Sequence, residues 1–351
     1  MPNINLFFLF TLTLFSCARQ LPLRYATTIQ KQDSLIAINQ KSTDSILSIQ
    51  YLGCGGLLIQ QNHNKIMIDP FFSNPSFSKV SSFSTIEADT NTIQKNYKTI
   101  DYANIDACLI SHAHYDHLMD VPYISTYFHI QNLNIYGSKT VINILKSQKL
   151  DSIYLHNIED QAAKNDTLGQ WTYTNKDSTC RFMAIKYDHA PHFKKSFIKL
   201  KFFNGHYNAV PKQIKNIRDW KEGQTYAYLI DFMTKGKVNR RIYVLSGGAS
   251  SAPIGFINHF EALKNKSIDV MVLCVASHDN VKNYPQKIIS AHRPSFILGV
   301  HWEDFFIPYN SLDQPKAVRF TNVPKFLKKI EMLGYSNHFL IGKPLVKFKF
   351  D

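Results

Sequence analysis

An α/β fold class follows from two features of the chain. Short apolar runs rich in β-branched and aromatic residues recur along it, and helical periodicity falls between them. The strand candidates are Leu58-Ile59, Ile66-Met67-Ile68, Ala107 to Ile110, Phe182 to Ile185, Tyr226 to Phe232, Ile242 to Leu245, Val270 to Val275 and Phe296 to Val300. The clearest helical pattern spans Pro324 to Leu333. There Phe326, Leu327, Ile330 and Leu333 share one face, proline stands near the start and Gly334 lies just past the end. A second pattern runs from an N-capping Ser138 through Val141, Ile142 and Leu145. With 351 residues, of which 44% are hydrophobic, the chain can bury a substantial core, which argues against disorder. One large domain and two fused halves both remain open, and no internal repeat is strong enough to decide between them.

The N-terminal segment carries a different kind of signal. Leu6 to Phe15 is an apolar run of about ten residues, too short to span a bilayer but of the length of a signal-peptide core. It leads into Leu14-Phe15-Ser16-Cys17, which resembles a bacterial lipobox with Cys17 as the acylated residue. Met1 to Asn5 lacks the Lys or Arg of a usual signal start, so a conventional signal peptide and a buried helix stay as alternatives. The lipoprotein reading implies residues 1–17 as signal peptide and a lipid anchor at the cell envelope, on the periplasmic side or the outer membrane. Residues 18–45, rich in Gln, Lys, Ser and Thr, then read as a polar tether, and residues 46–351 as the folded domain. The other cysteines are Cys54, Cys108, Cys180 and Cys274. Cys108 and Cys274 sit in apolar strand-like runs, so no disulfide framework is expected.

A formal charge of +14 suggests anionic partners. Lys and Arg are spread along the chain without a long basic tract, so phosphate-bearing substrates or an acidic membrane surface fit better than nucleic acid, which is not an expected partner.

The densest chemistry lies directly after the strand candidate Ala107 to Ile110. His112-x-His114-x-Asp116-His117 packs four metal-competent side chains into six positions. Imidazole and carboxylate are the donors that zinc and similar borderline divalent ions accept, and such a concentration is hard to explain as packing. The alternative is a solvated His-rich loop.

This run resembles the His-x-His-x-Asp-His signature of the metallo-β-lactamase superfamily of metallohydrolases. Further matches are Asp69 at the end of Lys65 to Asp69, His189 after Arg181 to Lys186, and His301 after Ser295 to Val300. Asp69-Pro70-Phe71-Phe72-Ser73, His114 to Leu118 and His301-Trp302 are most similar to the branch containing N-acylphosphatidylethanolamine phospholipase D. The resemblance covers roughly residue 49 to the C-terminus. It implies a four-layer αββα sandwich, with which the strand and helix alternation agrees. It also implies a first metal position made by His112, His114 and His189, and a second made by Asp116, His117 and His301. Zinc held there lowers the pKa of a bound water toward about 7 and so supplies a hydroxide nucleophile. Asp116 is then expected to orient that nucleophile as a catalytic residue, and Asp69 to orient a ligand histidine from behind. A strand-ending turn is the alternative for Asp69.

One departure bears on metal number. The family usually carries a metal-bridging aspartate after a strand of the second half. Here Arg240 to Leu245 leads into Ser246-Gly247-Gly248, so glycine stands at that place. One tight Zn2+ is therefore expected, with a second site weakened by Gly248; Mn2+ and Fe2+ are the other candidate ions. Asp188-His189-Ala190-Pro191-His192 leaves His192 as an alternative third ligand. His278 reads as structural, and Asp304 as a surface carboxylate with a proton-donor role as the sharper alternative. The basic and aromatic segment from His192 to Phe203 reads either as a strand with one wet face or as a surface for phosphate and acyl chain.

The leading function is metal-dependent hydrolysis of a phosphodiester or phospholipid-like small molecule. Amide or lactone hydrolysis on the same scaffold and a non-catalytic metal-binding lipoprotein are the alternatives.

Overall fold

The computed structural model describes residues 46–128, 130, 133–164, 167–191, 203–250, 263–311 and 315–350. Cys17, the tether, His192 and nearly all of the basic and aromatic segment after it fall outside these residues. One seven-stranded sheet comprises β1 (Leu47–Gly53), β2 (Gly56–Gln61), β3 (Asn64–Ile68), β4 (Ala107–Leu109), β5 (Asn134–Gly137), β6 (Leu155–Asn157) and β14 (Lys347–Phe350). The other comprises β7 (Thr172–Tyr173), β8 (Cys180–Tyr187), β9 (Thr225–Thr234), β10 (Lys237–Leu245), β11 (Val270–Cys274), β12 (Phe296–Val300) and β13 (Phe339–Ile341). Their orders are β14-β1-β2-β3-β4-β5-β6 and β13-β12-β11-β10-β9-β8-β7.

Both sheets follow one plan that no sequence repeat announces. In the first, β1 to β3 form an antiparallel meander and β3 to β6 pair in parallel. In the second, β7 to β10 are antiparallel and β10 to β13 parallel. Parallel neighbours need crossovers, and these supply the outer helices. Strand periodicity then sorts the side chains. Ile66, Ile68, Ala107 and Leu109 pack in the core shared with the second sheet, whereas Met67, Cys108 and Ile110 pack in the layer that includes Val141, Ile144 and Leu145 of the helix Lys139–Ser147. Both faces are buried, which is why these strands read as continuous apolar runs. Each fully buried Ile or Leu contributes about 1.5–3 kcal/mol.

The helix expected at Pro324 to Leu333 is present as Val323–Met332 and buries Val323, Phe326 and Ile330 against the second sheet. Ser138 caps Lys139–Ser147 by accepting from the Val141 amide, worth about 1 kcal/mol. Helices therefore cover both outer faces, and the architecture is the expected αββα sandwich. No helix of the described residues is long and apolar enough to cross a membrane.

One polar device inside the second sheet was not legible as such. Arg181 and Arg241, on β8 and β10, both stand opposite Asp231 of β9. Arg241 is fully buried and forks onto Asp231 at 2.7 and 2.9 Å, with its remaining nitrogen donating to the Leu263 and Lys266 carbonyls. Removing one partner of such a buried pair costs about 3–5 kcal/mol, so the network pins the register of β10, whose end delivers Ser246 to the site.

Candidate metal centre

The site lies where several strands end. β1 and β3 run in the same direction, and the β1–β2 turn, the end of β3 and the end of β4 deliver Cys54, Asp69 and Ser111 onward. From the second sheet, β8, β10 and β12 lead to His189, Ser246 and His301. This is the ordinary place for a site in an α/β sheet, outside the carboxyl ends of its parallel strands.

The run after β4 is held by β9 and the loop that leads into it. The Tyr226 amide donates to the Ser111 carbonyl at 2.8 Å, the Ala113 amide to the Glu222 carbonyl at 3.0 Å, and Tyr228 Oη to the Ile110 carbonyl at 2.7 Å. His112 and His114 precede the short helix Tyr115–Leu118, while Asp116 and His117 lie on it. That single change from extended chain to helix divides the run between two clusters. His112, His114 and His189 form one; Asp116, His117 and His301 form the other, together with Cys54. Within each cluster the donor atoms lie within 4.8 Å of one another.

In the imidazole cluster, His112 Nε2 lies 2.8 Å from His114 Nδ1, and the His189 ring centroid is 4.8 Å from that of His112. His189 Nδ1 donates to the Ala190 carbonyl at 2.7 Å, which leaves its Nε2 for the cluster. Burial, reinforced by His117, His114 and His189, holds the pKa of His112 well below the usual imidazole range. His112 is therefore neutral, as a ligand must be.

The mixed cluster is electrostatically different. Asp116 Oδ2 stands 3.4 Å from both His117 Nε2 and His301 Nε2, and 3.5 Å from Cys54 Sγ, which is itself 3.2 Å from His301 Nε2. Burial opposes charge on His117, yet Asp116 and Asp69 outweigh it and raise its pKa to about 10. Burial would likewise raise Asp116, but His117 and His301 hold it well below the carboxylate range. Asp69 sits behind His117: its Oδ2 is 3.0 Å from His117 Nδ1 and accepts from Ser246 Oγ at 3.0 Å, while Oδ1 accepts from the Ser111 amide at 2.7 Å. One carboxylate thus touches β4, the ligand helix and β10.

Donor chemistry and burial both fit divalent ions. The imidazole cluster offers three nitrogens. The mixed cluster offers sulfur, oxygen and two nitrogens, and its His301 has a buried Nδ1 without a hydrogen-bond partner among the described residues. Cys54, Asp69 and His301 all adopt left-handed backbone, with φ of 52°, 41° and 56°. For a non-glycine residue this costs about 1–2 kcal/mol each, strain of the kind concentrated at functional sites.

Position 248 adjoins the imidazole cluster: a Cβ built on Gly248 comes 3.1 Å from His189 Nε2. Gly55 is required by close approach, since a Cβ there would fall 2.7 Å from His117 Cε1.

Cys54 is the residue that sequence reasoning left unassigned, because one cysteine between glycines carries no ligand spacing. Glu303, two residues after His301, likewise carries no ligand spacing in the sequence. It is buried, accepts from the Cys54 amide and from Tyr51 Oη, and Tyr51 Oη accepts from the His301 amide at 3.0 Å. Asp304 is not the expected surface carboxylate. It is fully buried and paired with Arg319 at 3.4 Å. His278 stays out of both clusters: its Nε2 lies 3.0 Å from the Asn322 carbonyl and its Nδ1 3.1 Å from Lys329 Nζ.

Comparison with known proteins bears on the family and the fold. The beta-lactamase superfamily domain matches residues 64–246. Among solved structures, Igni18, a metallo hydrolase from the archaeon Ignicoccus hospitalis KIN4/I, is 16% identical with a TM-score of 0.52, over 88% of this chain and 99% of that one. A possible metal-dependent hydrolase from Veillonella parvula DSM 2008 is 12% identical with a TM-score of 0.50, over 87% and 100% of the two chains. Isothiocyanate hydrolase from Delia radicum gut bacteria is 11% identical with a TM-score of 0.50, over 86% and 99%. No curated protein matches. At these identities the structural likenesses speak for the fold, which implies use of a divalent metal. The sequence match covers more than half of the chain, from β3 to the Ser246 that binds Asp69, and the chain belongs to the β-lactamase superfamily with the metallo-β-lactamase fold.

Proposed function

We propose that the chain is a metal-dependent hydrolase of a phosphodiester, with phospholipid-like compounds as the preferred class. The observation that carries this reading is the pair of buried donor clusters sharing one short run, His112 to His117. A divalent ion held by His112, His114 and His189, or by Asp116, His117 and His301, supplies Lewis acidity and a water acidified toward neutrality. The protein's own groups do the rest. Asp116, kept ionised by His117 and His301, can only accept hydrogen bonds, and its place in the mixed cluster suits it to orient a donor bound there. Asp69 fixes the ring of His117 and has no face toward substrate. The charge of +14 favours an anionic substrate over a neutral lactone or amide, though the same chemistry attacks carbonyl centres.

The test is turnover of a panel of phosphodiester, lactone and lactam, with metal content measured on the same sample. Phosphodiester turnover is expected, lost on chelation and restored by zinc. Asp116→Asn should keep much of its metal while losing about 10²- to 10³-fold in rate. Turnover of the lactone alone would transfer the reading to carbonyl substrates, and bound metal with no turnover at all would make the chain a metal-binding protein.

We further propose a location at the cell envelope through lipidation of Cys17, which fits a lipid-like substrate. Expression in a bacterial host should give a membrane-associated, fatty-acid-labelled product, and Cys17→Ala should lose the label. A soluble, unlabelled wild type overturns the anchor without touching the hydrolase reading.

A further inference from the structure

We propose that Cys54 is a metal ligand, making the mixed cluster a sulfur-containing site formed by Cys54, Asp116, His117 and His301. The inference rests on the metal-binding reading above and adds a sulfur donor to the position formed by Asp116, His117 and His301. Three independent observations carry it.

The first is convergence. Cys54 Sγ is buried, 3.2 Å from His301 Nε2 and 3.5 Å from Asp116 Oδ2, and all four donors lie within 4.8 Å of one another. The second is the backbone. Cys54 opens the two-residue turn between the paired Gly53 and Gly56 and holds φ at 52°, a conformation for which glycine or asparagine is the ordinary choice. A cysteine there is poorly suited to the turn and well suited to the cluster. The third is the support behind it. Glu303, two residues beyond His301, accepts from the Cys54 amide and from Tyr51 Oη, which accepts from the His301 amide and also lies within reach of the Cys54 carbonyl, 2.9 Å away. The turn bearing the sulfur and the strand end bearing the histidine are thereby fixed to the same carboxylate. His301 Nδ1 has no partner among the described residues, so its ring is held through its backbone rather than through its far nitrogen.

A thiolate with two imidazoles and one carboxylate favours zinc or cobalt over magnesium or calcium, and the two positions then differ in kind: one all nitrogen, one softer. On binding, the Cys54 Sγ–H bond breaks, its proton goes to solvent and the sulfur lone pair is donated to the ion.

Cobalt(II) substitution of the full chain reads this directly, with no substrate present. Wild type loaded to saturation should show a near-ultraviolet thiolate-to-cobalt charge-transfer band. Cys54→Ser and Cys54→Gly should both lose it and hold roughly one ion fewer per chain, while Cys108→Ser, which removes a buried core thiol, should keep it. Cys54→Gly also suits the turn, so its metal-free form should unfold at a temperature equal to or above that of wild type while the gain in thermal stability on adding cobalt shrinks. Bound cobalt without the band in wild type, or a band that survives in both Cys54 variants, overturns the proposal. Because neither readout involves turnover, a missing hydrolase activity leaves it standing.

Discussion

His112 and His117 belong to one short run and their rings lie 4.2 Å apart, yet their surroundings shift their pKa values in opposite directions. His112 is surrounded by other imidazoles and loses its charge through burial; His117 is buried as deeply but stands between Asp69 and Asp116 and keeps its proton. The difference comes from neighbours, not from the run itself. The imidazole cluster is ready for a cation at neutral pH, whereas the mixed cluster must first discharge a proton that its own carboxylates hold in place. Acid groups that orient a ligand histidine therefore also compete with the ion for it.

Removing a ligand from either side is the hardest way to break the comparison. His114→Ala should abolish binding at the imidazole position and reduce turnover by about a thousandfold or more, since the Lewis acid is worth several kcal/mol. His301→Ala should spare that position and strip the other. Metal content and rate measured on both variants decide it. Equal losses at both positions in both variants would mean that the clusters act as one.

A milder change sharpens the role of the supporting carboxylate. Asp69→Asn keeps the shape but loses the charge that both orients His117 and holds its proton; the lost orientation should outweigh the easier deprotonation, so affinity at the mixed position should fall by about 10- to 100-fold, with the imidazole position little changed. Competition against a chromophoric chelator measures both.

The pH dependence should separate the positions most finely. In the metal-free protein His117 has a folded pKa of about 10 against an unfolded value of 6.5, so its contribution to stability is fully present below 6.5 and lost as pH rises through 10. Metal binding reverses the sense, because the bound form needs the proton gone. Affinity at the mixed position should rise about tenfold per pH unit for each proton displaced between pH 7 and 9, while the imidazole position stays nearly flat there because His112 is already neutral. Isothermal titration in buffers of different ionisation enthalpy counts those protons. Equal slopes would break the distinction.

Much of this was visible in the sequence, for physical reasons that also explain what was not. Residues 112 to 117 announced themselves because ligand-type side chains were concentrated within two turns of chain. Strand runs such as Ile242 to Leu245 were readable because both faces of these sheets are buried. Asp69, His189 and His301 are single residues at strand ends, and only resemblance singled them out. His278, which also follows a strand, reads as structural in the sequence, and its contacts to the Asn322 carbonyl and Lys329 Nζ give it that role. Cys54, Glu303 and Asp304 depend wholly on partners far along the chain. Glu303 meets Tyr51 and the Cys54 amide across the sandwich, and a charged residue with unseen partners looks like a surface residue.

The left-handed backbone at Cys54, Asp69 and His301 has a meaning for how such chains drift. Glycine or asparagine would relax all three positions, and most random substitution pressure in proteins is absorbed by keeping stability above a threshold. While the side chains are needed, purifying selection must hold each residue against a thermodynamic incentive to leave. Once the need lapses, these are the places where the incentive acts first. In a lineage that has abandoned metal, the record of that loss should be written as glycine at positions 54 and 301, well before the core shows any change, while Asp69, which also accepts from the Ser111 amide and Ser246 Oγ, should be kept longer.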